Sequence, residues 1–275
     1  MRPLDQQTIL VTGGTDGLGR RVAFDPELIA ALHPRVVAGA EFERGEPAHA
    51  AFQAATIDAL LHGLYEGDLG IATLLRHGDL GLGTVDHLDG ELIVVDGEAW
   101  SARVDGSLRR VPGDERTPFA VVTPFRADVE VAVQEPLEHD ALLALIDRNA
   151  RDAAHAVRVD GVLDVHARSV PRQEPPYRPL AEVVQEQQVF DLRGVEGTLV
   201  GFRFPTVAQG VEVPGYHLHA IAADRSAGGH VLRCRLRHGT VRIGAVTDLY
   251  LELPPGVELP AGQPNADVEA VEHQG

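Results

Sequence analysis

Two histidines, His217 and His219, are separated by one residue in a stretch whose pattern predicts a β-strand over Gly215–Ala222. In a strand, side chains two positions apart point to the same face of the sheet. A turn containing glycine follows, and His230 begins the next predicted strand. A hairpin of this length brings the third imidazole beside the first two. Three neutral imidazoles with a fourth position left open are typical of a catalytic zinc site.

The composition narrows the chemistry that the chain can perform. Its 275 residues include 24 basic residues, all of them arginine, and 41 acidic residues, which give a formal net charge of −17. Without lysine the chain forms no internal Schiff base and has no P-loop lysine. Cys234 is the only cysteine, which excludes an intrachain disulfide and a thiolate-rich zinc or iron–sulfur site. Any transition-metal site must therefore use histidine and carboxylate ligands.

The acidic balance argues against a nucleic-acid partner, because phosphate backbones are bound by clustered basic residues. No apolar run reaches the roughly 18 residues of a membrane-spanning helix. The start of the chain, Met1–Gln7, lacks the basic region and apolar run of a signal peptide. We therefore expect a cytoplasmic protein with no nucleic-acid partner and no membrane partner.

The hydrophobic pattern predicts an α+β protein dominated by sheets. Helical spacing occurs at Ile57–Leu64 and within Pro136–Ala154, and Leu180–Val189 is compatible with a further helix. Asp96-Gly97 is a two-residue hairpin signal between two strands. The other predicted strands include Glu91–Val95, Ala99–Val104, Thr117–Thr123, Ala156–Val165, Gly197–Phe204, His230–Arg237, Thr240–Ala245 and Leu249–Leu253.

The N-terminal segment carries a motif of a different chemistry. A short apolar run at Thr8–Val11 leads into Thr12–Arg20, which resembles the glycine-rich turn of short-chain dehydrogenases. The helix that should follow is interrupted at Phe24-Asp25-Pro26, and the catalytic Tyr-x-x-x-Lys of those enzymes cannot exist in a chain without lysine. We interpret residues 1–47 as a foreign or flexible extension, with a nicotinamide oxidoreductase as the alternative.

The rest of the chain resembles the α-acetolactate decarboxylase family from about Phe52 to the C-terminus. Several blocks in the same order are more specific than any single motif. The blocks are Leu64–Asp68, His77–Thr84, Leu88–Ile93, Thr117–Thr123, Arg168–Gln173, Pro176-Tyr177, Gly197–Phe202, Gly215–His219 and Gly228–Leu232.

The resemblance implies an enzyme that converts (S)-2-acetolactate to (R)-acetoin and carbon dioxide in acetoin and butanediol biosynthesis. It implies a Zn²⁺ ion bound by His217, His219 and His230, which would act as a Lewis acid and stabilise an enediolate. It also implies a homodimer, with the metal in each subunit lying between two sheet-rich subdomains. We expect a mixed N-terminal sheet over 48–157 and an antiparallel C-terminal sheet over 158–275.

Further site residues follow from the resemblance. Arg168 matches the family's active-site arginine, whose guanidinium suits the carboxylate of a 2-hydroxy-3-keto acid substrate. Glu91 and Glu272 match its two glutamates, although Glu269 is close enough in sequence to leave the second position open. Thr84 matches a residue that lines the pocket. We expect one of the two glutamates to donate the proton that completes acetoin.

The three histidines by themselves are compatible with other functions. A different zinc-dependent lyase or hydrolase on a similar scaffold would use the same ligands. A chain whose N-terminal extension has disabled the site would be a non-functional fusion relic. Metal content and the release of acetoin from acetolactate distinguish these alternatives.

Overall fold

The computed structural model describes residues 25–37, 49–150 and 153–254, and it gives the backbone of two short strands at Ile9–Val11 and Arg20–Val22. These two strands pair with each other in antiparallel fashion. A dinucleotide-binding unit requires a helix after its glycine-rich turn, and here a strand stands in that place. The turn itself and the tail glutamates Glu269 and Glu272 lie outside the described residues.

Strands dominate the described residues, and the helices are short. The helices are α1 (Pro26–Leu32), α2 (Ile57–Leu61), α3 (Ile71–His77), α4 (His139–Asn149) and α5 (Leu180–Val183). The strands are β1 (Ile9–Val11), β2 (Arg20–Val22), β3 (Arg35–Val36), β4 (Ala50–Ala54), β5 (Leu69–Gly70), β6 (Leu80–Thr84), β7 (Glu91–Val95), β8 (Glu98–Ala102), β9 (Leu108–Arg110), β10 (Arg116–Thr117), β11 (Phe119–Thr123), β12 (Val129–Val133), β13 (Leu137–Glu138), β14 (His155–Ser169), β15 (Gln188–Phe204), β16 (Gly215–Ala222), β17 (Gly228–Ala245) and β18 (Asp248–Glu252). The prediction of a sheet-rich α+β fold is confirmed.

The first large sheet is mixed and contains eight strands in the order β3-β18-β4-β11-β6-β7-β8-β9. β18 runs parallel to β3 and β4, whereas the other neighbours are antiparallel. One face of the sheet packs against α3, whose Ile71 and Leu74 share a core cluster with Phe52. The opposite face, which carries Leu82 and Ile93, packs against the second large sheet.

The second sheet is antiparallel, with the order β12-β17-β14-β15-β16 and with β13 also paired to β17. β16 forms a further pairing with the first residues of β17. The hairpin that carries the three histidines therefore belongs to this sheet. α4 covers one face, where Leu142 and Ile146 pack with Val157. Phe202 and Ile221 pack in the shared core with the first sheet.

Strand membership does not follow the division expected between residues 157 and 158. β18 lies in the mixed sheet although it comes late in the chain, and β12 and β13 lie in the antiparallel sheet although they come early. In β18, Leu249 and Leu251 are fully buried in the core between the sheets, and the strand pairs with β4 on one side and with β3 on the other. The two sheets are thus assembled from both halves of the chain.

Part of the segment interpreted as a foreign or flexible extension is integrated into the fold. α1 begins where the Asp25 side chain accepts a hydrogen bond from the Glu27 backbone and where Pro26 suits the first turn. Leu28 and Leu32 of this helix are buried in the core between the sheets. β3 forms the edge of the mixed sheet beside β18. Residues 25–37 thus contribute to the core and to the mixed sheet, and the foreign origin expected for residues 1–47 stays a prediction.

A chain that begins at Ala48 is expected to be less stable than one that begins at Asp25. Burial of Leu28 and Leu32 contributes about 3–6 kcal/mol to the free energy of unfolding, and the shorter chain loses both side chains together with β3. Urea unfolding of the two versions measures the difference. Equal free energies of unfolding would show that α1 and β3 do not contribute to the core.

Of the local elements predicted from the sequence, one hairpin is confirmed, and two others differ in extent from the prediction. The hairpin at Asp96-Gly97 is confirmed, since both residues have the positive φ angles, 53° and 74°, of a two-residue hairpin turn. The two strands predicted between His230 and Ala245 form the single strand β17. The helix predicted for Leu180–Val189 is an α-helix only to Val183 and continues as a 3₁₀ turn over Val184–Glu186. From Gln188 onward the chain pairs with β14 instead.

The longest described helix, α4, has 11 residues. A membrane-spanning helix needs roughly 20 apolar residues. None of the helices in the described ranges is therefore long and apolar enough to cross a bilayer.

Candidate metal centre

The three histidines meet at the hairpin formed by β16 and β17. His219 lies directly opposite His230 in the strand register, and His217 precedes His219 by two residues on the same face. The ring centroids are 5.1 Å apart for His217 with each of the others and 5.3 Å apart for His219 with His230. One nitrogen from each ring lies within 4.8 Å of the others, and all three residues are buried. The cluster could hold a metal ion.

The orientation of His219 suits a metal ligand. Its Nδ1 lies 2.8 Å from the carbonyl oxygen of Leu92, which can only accept, so the proton is on Nδ1 and the lone pair is on Nε2. That buried Nε2 has no hydrogen-bond partner among the described residues. A hydrogen bond from the ring nitrogen that does not bind the metal is the usual support of a metal-ligating imidazole.

Burial, reinforced by the neighbouring His217 and by Arg168, lowers the pKa of His219 well below its ordinary value. A buried imidazole loses its charged form because the surroundings cannot solvate it as water does. At neutral pH the ring is therefore neutral, and its Nε2 lone pair is available to a metal.

An ion pair adjoins the histidines. Arg168 of β14 lies opposite His230 in the register, and its Nη1 is 3.2 Å from Oε1 of Glu91. The other carboxylate oxygen, Oε2, is 3.6 Å from Nε2 of His219. Both charged side chains are buried. The structure thus brings Glu91 of the mixed sheet together with the arginine and a histidine of the antiparallel sheet.

Thr84 is placed beside Glu91 by strand pairing. The two residues are opposite each other in β6 and β7, and the Thr84 hydroxyl donates to the carbonyl oxygen of Gly90 at 2.9 Å. The preceding residue, Gly83, has φ +156° and lies so close to β11 that a Cβ atom would come within 2.6 Å of the Ala120 Cα. The glycine-rich character of β6 allows this close approach.

Thr84, Glu91, Arg168, His217 and His230 line a common cavity, and most of its wall is apolar. The polar side chains lie along one part of the wall, and aliphatic and aromatic side chains form the rest. The lining residues are Ile57, Leu60, Gly83, Thr84, Leu88, Glu91, Phe119, Arg168, Val170, Leu180, His217 and His230. Such a wall suits a small substrate that carries a carboxylate and methyl groups.

Sequence reasoning missed the apolar part of this wall. The helical spacing at Ile57 and Leu60 indicates a buried helix face, and it does not indicate that the face borders a site. Leu180 follows a proline-rich loop, and its position in the wall depends on where that loop packs. The tail glutamates Glu269 and Glu272 lie outside the described residues, so their predicted roles stay predictions.

Comparison with known proteins places the chain near one group of enzymes. A family model described as alpha-acetolactate decarboxylase matches residues 51–259. The chain is 45% identical over 206 residues to the alpha-acetolactate decarboxylase of Methanosarcina mazei, covering 74% of this chain and 72% of that one. It is 42% identical over 216 residues to the enzyme of Raoultella terrigena, covering 78% and 83%. The crystal structure of the Bacillus subtilis strain 168 enzyme superposes with a TM-score of 0.77 at 36% identity, covering 82% of this chain and all of that one.

Proposed function

The chain belongs to the alpha-acetolactate decarboxylase family, and we propose that it converts (S)-2-acetolactate to (R)-acetoin and carbon dioxide with a zinc ion bound by His217, His219 and His230. The observation that supports this most is the buried three-histidine cluster beside the Glu91–Arg168 pair. Acetolactate decarboxylation itself follows from membership of the family. The metal and the residue roles are the proposal.

The donor set fits zinc. Three neutral nitrogen ligands with room for one more are the usual catalytic zinc environment, and the lone pair of His219 is held toward the cluster by the bond to Leu92. When bound, zinc would act as a Lewis acid that stabilises the negative charge left on the substrate ketone oxygen as carbon dioxide departs.

In this proposal Arg168 holds the substrate carboxylate. A guanidinium has five donors in a planar fork, so it can bind a carboxylate in a defined orientation while keeping a contact to Glu91. The strand β14 fixes the backbone of the arginine through pairing with both β15 and β17. The carboxylate that must leave is thereby oriented for cleavage of its bond to C2.

A carboxyl group supplies the proton that replaces carbon dioxide. The bond between C2 and the carboxyl carbon breaks, its electron pair stays with C2 and the adjacent ketone, and a proton is then transferred to C2. Glu91 is one candidate donor, since it lines the cavity near His219, and it must take up a proton before this step. Glu272, or alternatively Glu269, is the other. Delivery to one face of C2 accounts for the (R) configuration, and water restores the donor's proton.

The remaining expectations from the sequence complete the proposal. We propose a homodimeric, cytoplasmic enzyme whose substrate is a small 2-hydroxy-3-keto acid, with the zinc between the two sheets. Contacts between the two sheets, such as the hydrogen bond from the His219 ring to the backbone carbonyl oxygen of Leu92, support this location.

Incubation of the purified chain with racemic acetolactate tests the function. We expect about one zinc per chain, from the one three-histidine cluster found among the described residues, and a product that is predominantly (R)-acetoin by chiral gas chromatography. Turnover of an ester or lactone with none of acetolactate would identify a zinc hydrolase instead, and a folded, zinc-free, inactive chain would identify a relic. Among the tail variants, the larger loss in Glu269→Gln or Glu272→Gln assigns the second glutamate.

A further inference from the structure

Two successive residues beside the cavity have an unusual backbone conformation. His87 has φ 63° and ψ 19°, and Leu88 has φ 55°. These angles lie in the left-handed region, which residues other than glycine adopt only when the surrounding structure imposes it. The short 3₁₀ segment that contains them, Asp86–Leu88, connects β6 to β7. Contacts between this segment and its neighbours must therefore stabilise the conformation.

Hydrogen bonds from two surface loops hold the segment. The His87 backbone N–H donates to the carbonyl oxygen of Tyr65 at 2.6 Å, and its carbonyl oxygen accepts from the backbone N–H of Gln173 at 2.7 Å. Its ring Nδ1 is 2.6 Å from the Tyr177 hydroxyl, which in turn donates to Oε1 of Glu66 at 2.8 Å. Since the hydroxyl has one proton, which goes to Glu66, the imidazole must be the donor to Tyr177.

This chain of groups runs from the surface toward the cavity. Glu66 is exposed, His87 and Tyr177 are half-buried, and Leu88 is 2% exposed and forms part of the cavity wall. The Tyr177 ring is further located by an edge contact with the buried Tyr65 at 5.2 Å.

The segment also leads directly into Glu91. Gly90 donates its backbone N–H to the carbonyl oxygen of Leu88 at 2.7 Å, and its own carbonyl oxygen accepts from the Thr84 hydroxyl. The position of Glu91 at the start of β7 therefore depends on how the preceding three residues turn. A shift of the left-handed pair would move one apolar wall residue and one charged residue of the site together.

We propose that Tyr177 is a positioning residue for the decarboxylation, acting through its hydrogen bond to His87 to keep Leu88 and Glu91 in place. The inference rests on the proposed function of this site. Tyr177 lines no part of the cavity, so it acts without touching the substrate. Its effect is on the geometry in which the proton reaches C2, and product chirality therefore reports it.

Tyr177→Phe tests the proposal, because it removes the hydroxyl and keeps the ring against Tyr65. We expect kcat/KM per bound zinc to fall about tenfold, since displacements of about 1 Å in a site cost up to a hundredfold. We also expect a lower enantiomeric excess of (R)-acetoin after subtraction of the uncatalysed reaction. A mere loss of folded protein would lower the rate without changing the chirality per turnover.

Variants of the exposed Glu66, together with a control variant in the core, separate a positioning effect from a loss of folded protein. Glu66→Ala should produce a smaller change in the same direction, whereas Glu66→Gln, which retains the accepting oxygen, should behave as the unaltered chain. Tyr250→Phe is the control, because Tyr250 lies in β18 and packs in the core on the α3 side of the mixed sheet. Circular dichroism and zinc content confirm that each variant is folded and loaded.

Two outcomes would overturn the proposal. Unchanged kcat/KM and chirality in Tyr177→Phe would show that the hydroxyl has no positioning role, and an equal loss in Tyr250→Phe would show that the effect is not specific. Failure of the unaltered chain to form acetoin at all would instead refute the function on which the proposal rests. The two failures are therefore distinguishable in the same experiment.

Discussion

His219→Gln is expected to leave the purified chain without bound zinc and to lower kcat/KM for acetolactate by roughly a thousandfold, because the Lewis acid contributes several kcal/mol to the reaction barrier. His219 is the most informative ligand to replace, since its Nδ1–H already donates to Leu92 and its Nε2 faces the cluster. Glutamine has a similar length and can retain a hydrogen bond to that carbonyl. The fold should therefore survive the loss of the ligand.

Metal analysis and the acetoin assay measure this prediction together. His238→Gln is the matched control, because His238 lies on the same strand as His230 but is exposed. It should retain both the zinc and the activity. Full activity in a His219→Gln chain that has lost its metal would refute the metal-dependent mechanism and would leave the Glu91–Arg168 pair as the catalytic groups.

Arg168→Met should lower kcat/KM by about a hundredfold or more, because the substrate carboxylate loses its orienting partner. The same change leaves the buried Glu91 carboxylate without the guanidinium 3.2 Å away. Removal of one member of a buried ion pair typically costs about 3–5 kcal/mol of stability. Activity and stability are thus both expected to fall, for different reasons.

The double variant Arg168→Met/Glu91→Gln separates the two effects. Neutralising Glu91 removes the unpaired buried charge, so most of the lost free energy of unfolding should return in urea titrations. Activity should not return, because the double variant lacks both Arg168 and Glu91, which is a candidate proton donor. Arg168→Lys should keep much of the stability but little of the activity, because an ammonium group lacks the planar fork. Restored turnover in the double variant would contradict the carboxylate-binding role.

The histidine cluster could be predicted because it depends on short-range rules. The spacing of His217 and His219 places both on one face of a strand, and the following loop is short enough to return His230 to the same place. The hairpin at Asp96-Gly97 is equally local. In each case the deciding information lies within about 20 residues of sequence, where strand alternation and turn chemistry act directly.

Other features depend on how distant segments pack. The contact between Glu91 and Arg168 requires the two sheets to pack in one particular alignment, and the sequence of neither strand predicts that alignment. Only the family resemblance pointed to these residues. The sequence of residues 25–37 does not indicate that the leucines of α1 reach the core, because that packing involves distant segments of both sheets. The left-handed pair at His87 and Leu88 contains no glycine, so the usual signal for that conformation is missing.

The hydrogen bond from His219 to Leu92 has a thermodynamic consequence. The donor belongs to the antiparallel sheet and the acceptor to the mixed sheet, so the ligand is oriented only while the two layers are docked. Metal affinity and docking are then linked equilibria. A zinc concentration one hundred times the dissociation constant would favour the docked state by about 2.7 kcal/mol. A chelator would remove the same stabilisation from the interface, so the ion would stabilise the docking of the two sheets in addition to its role in the reaction.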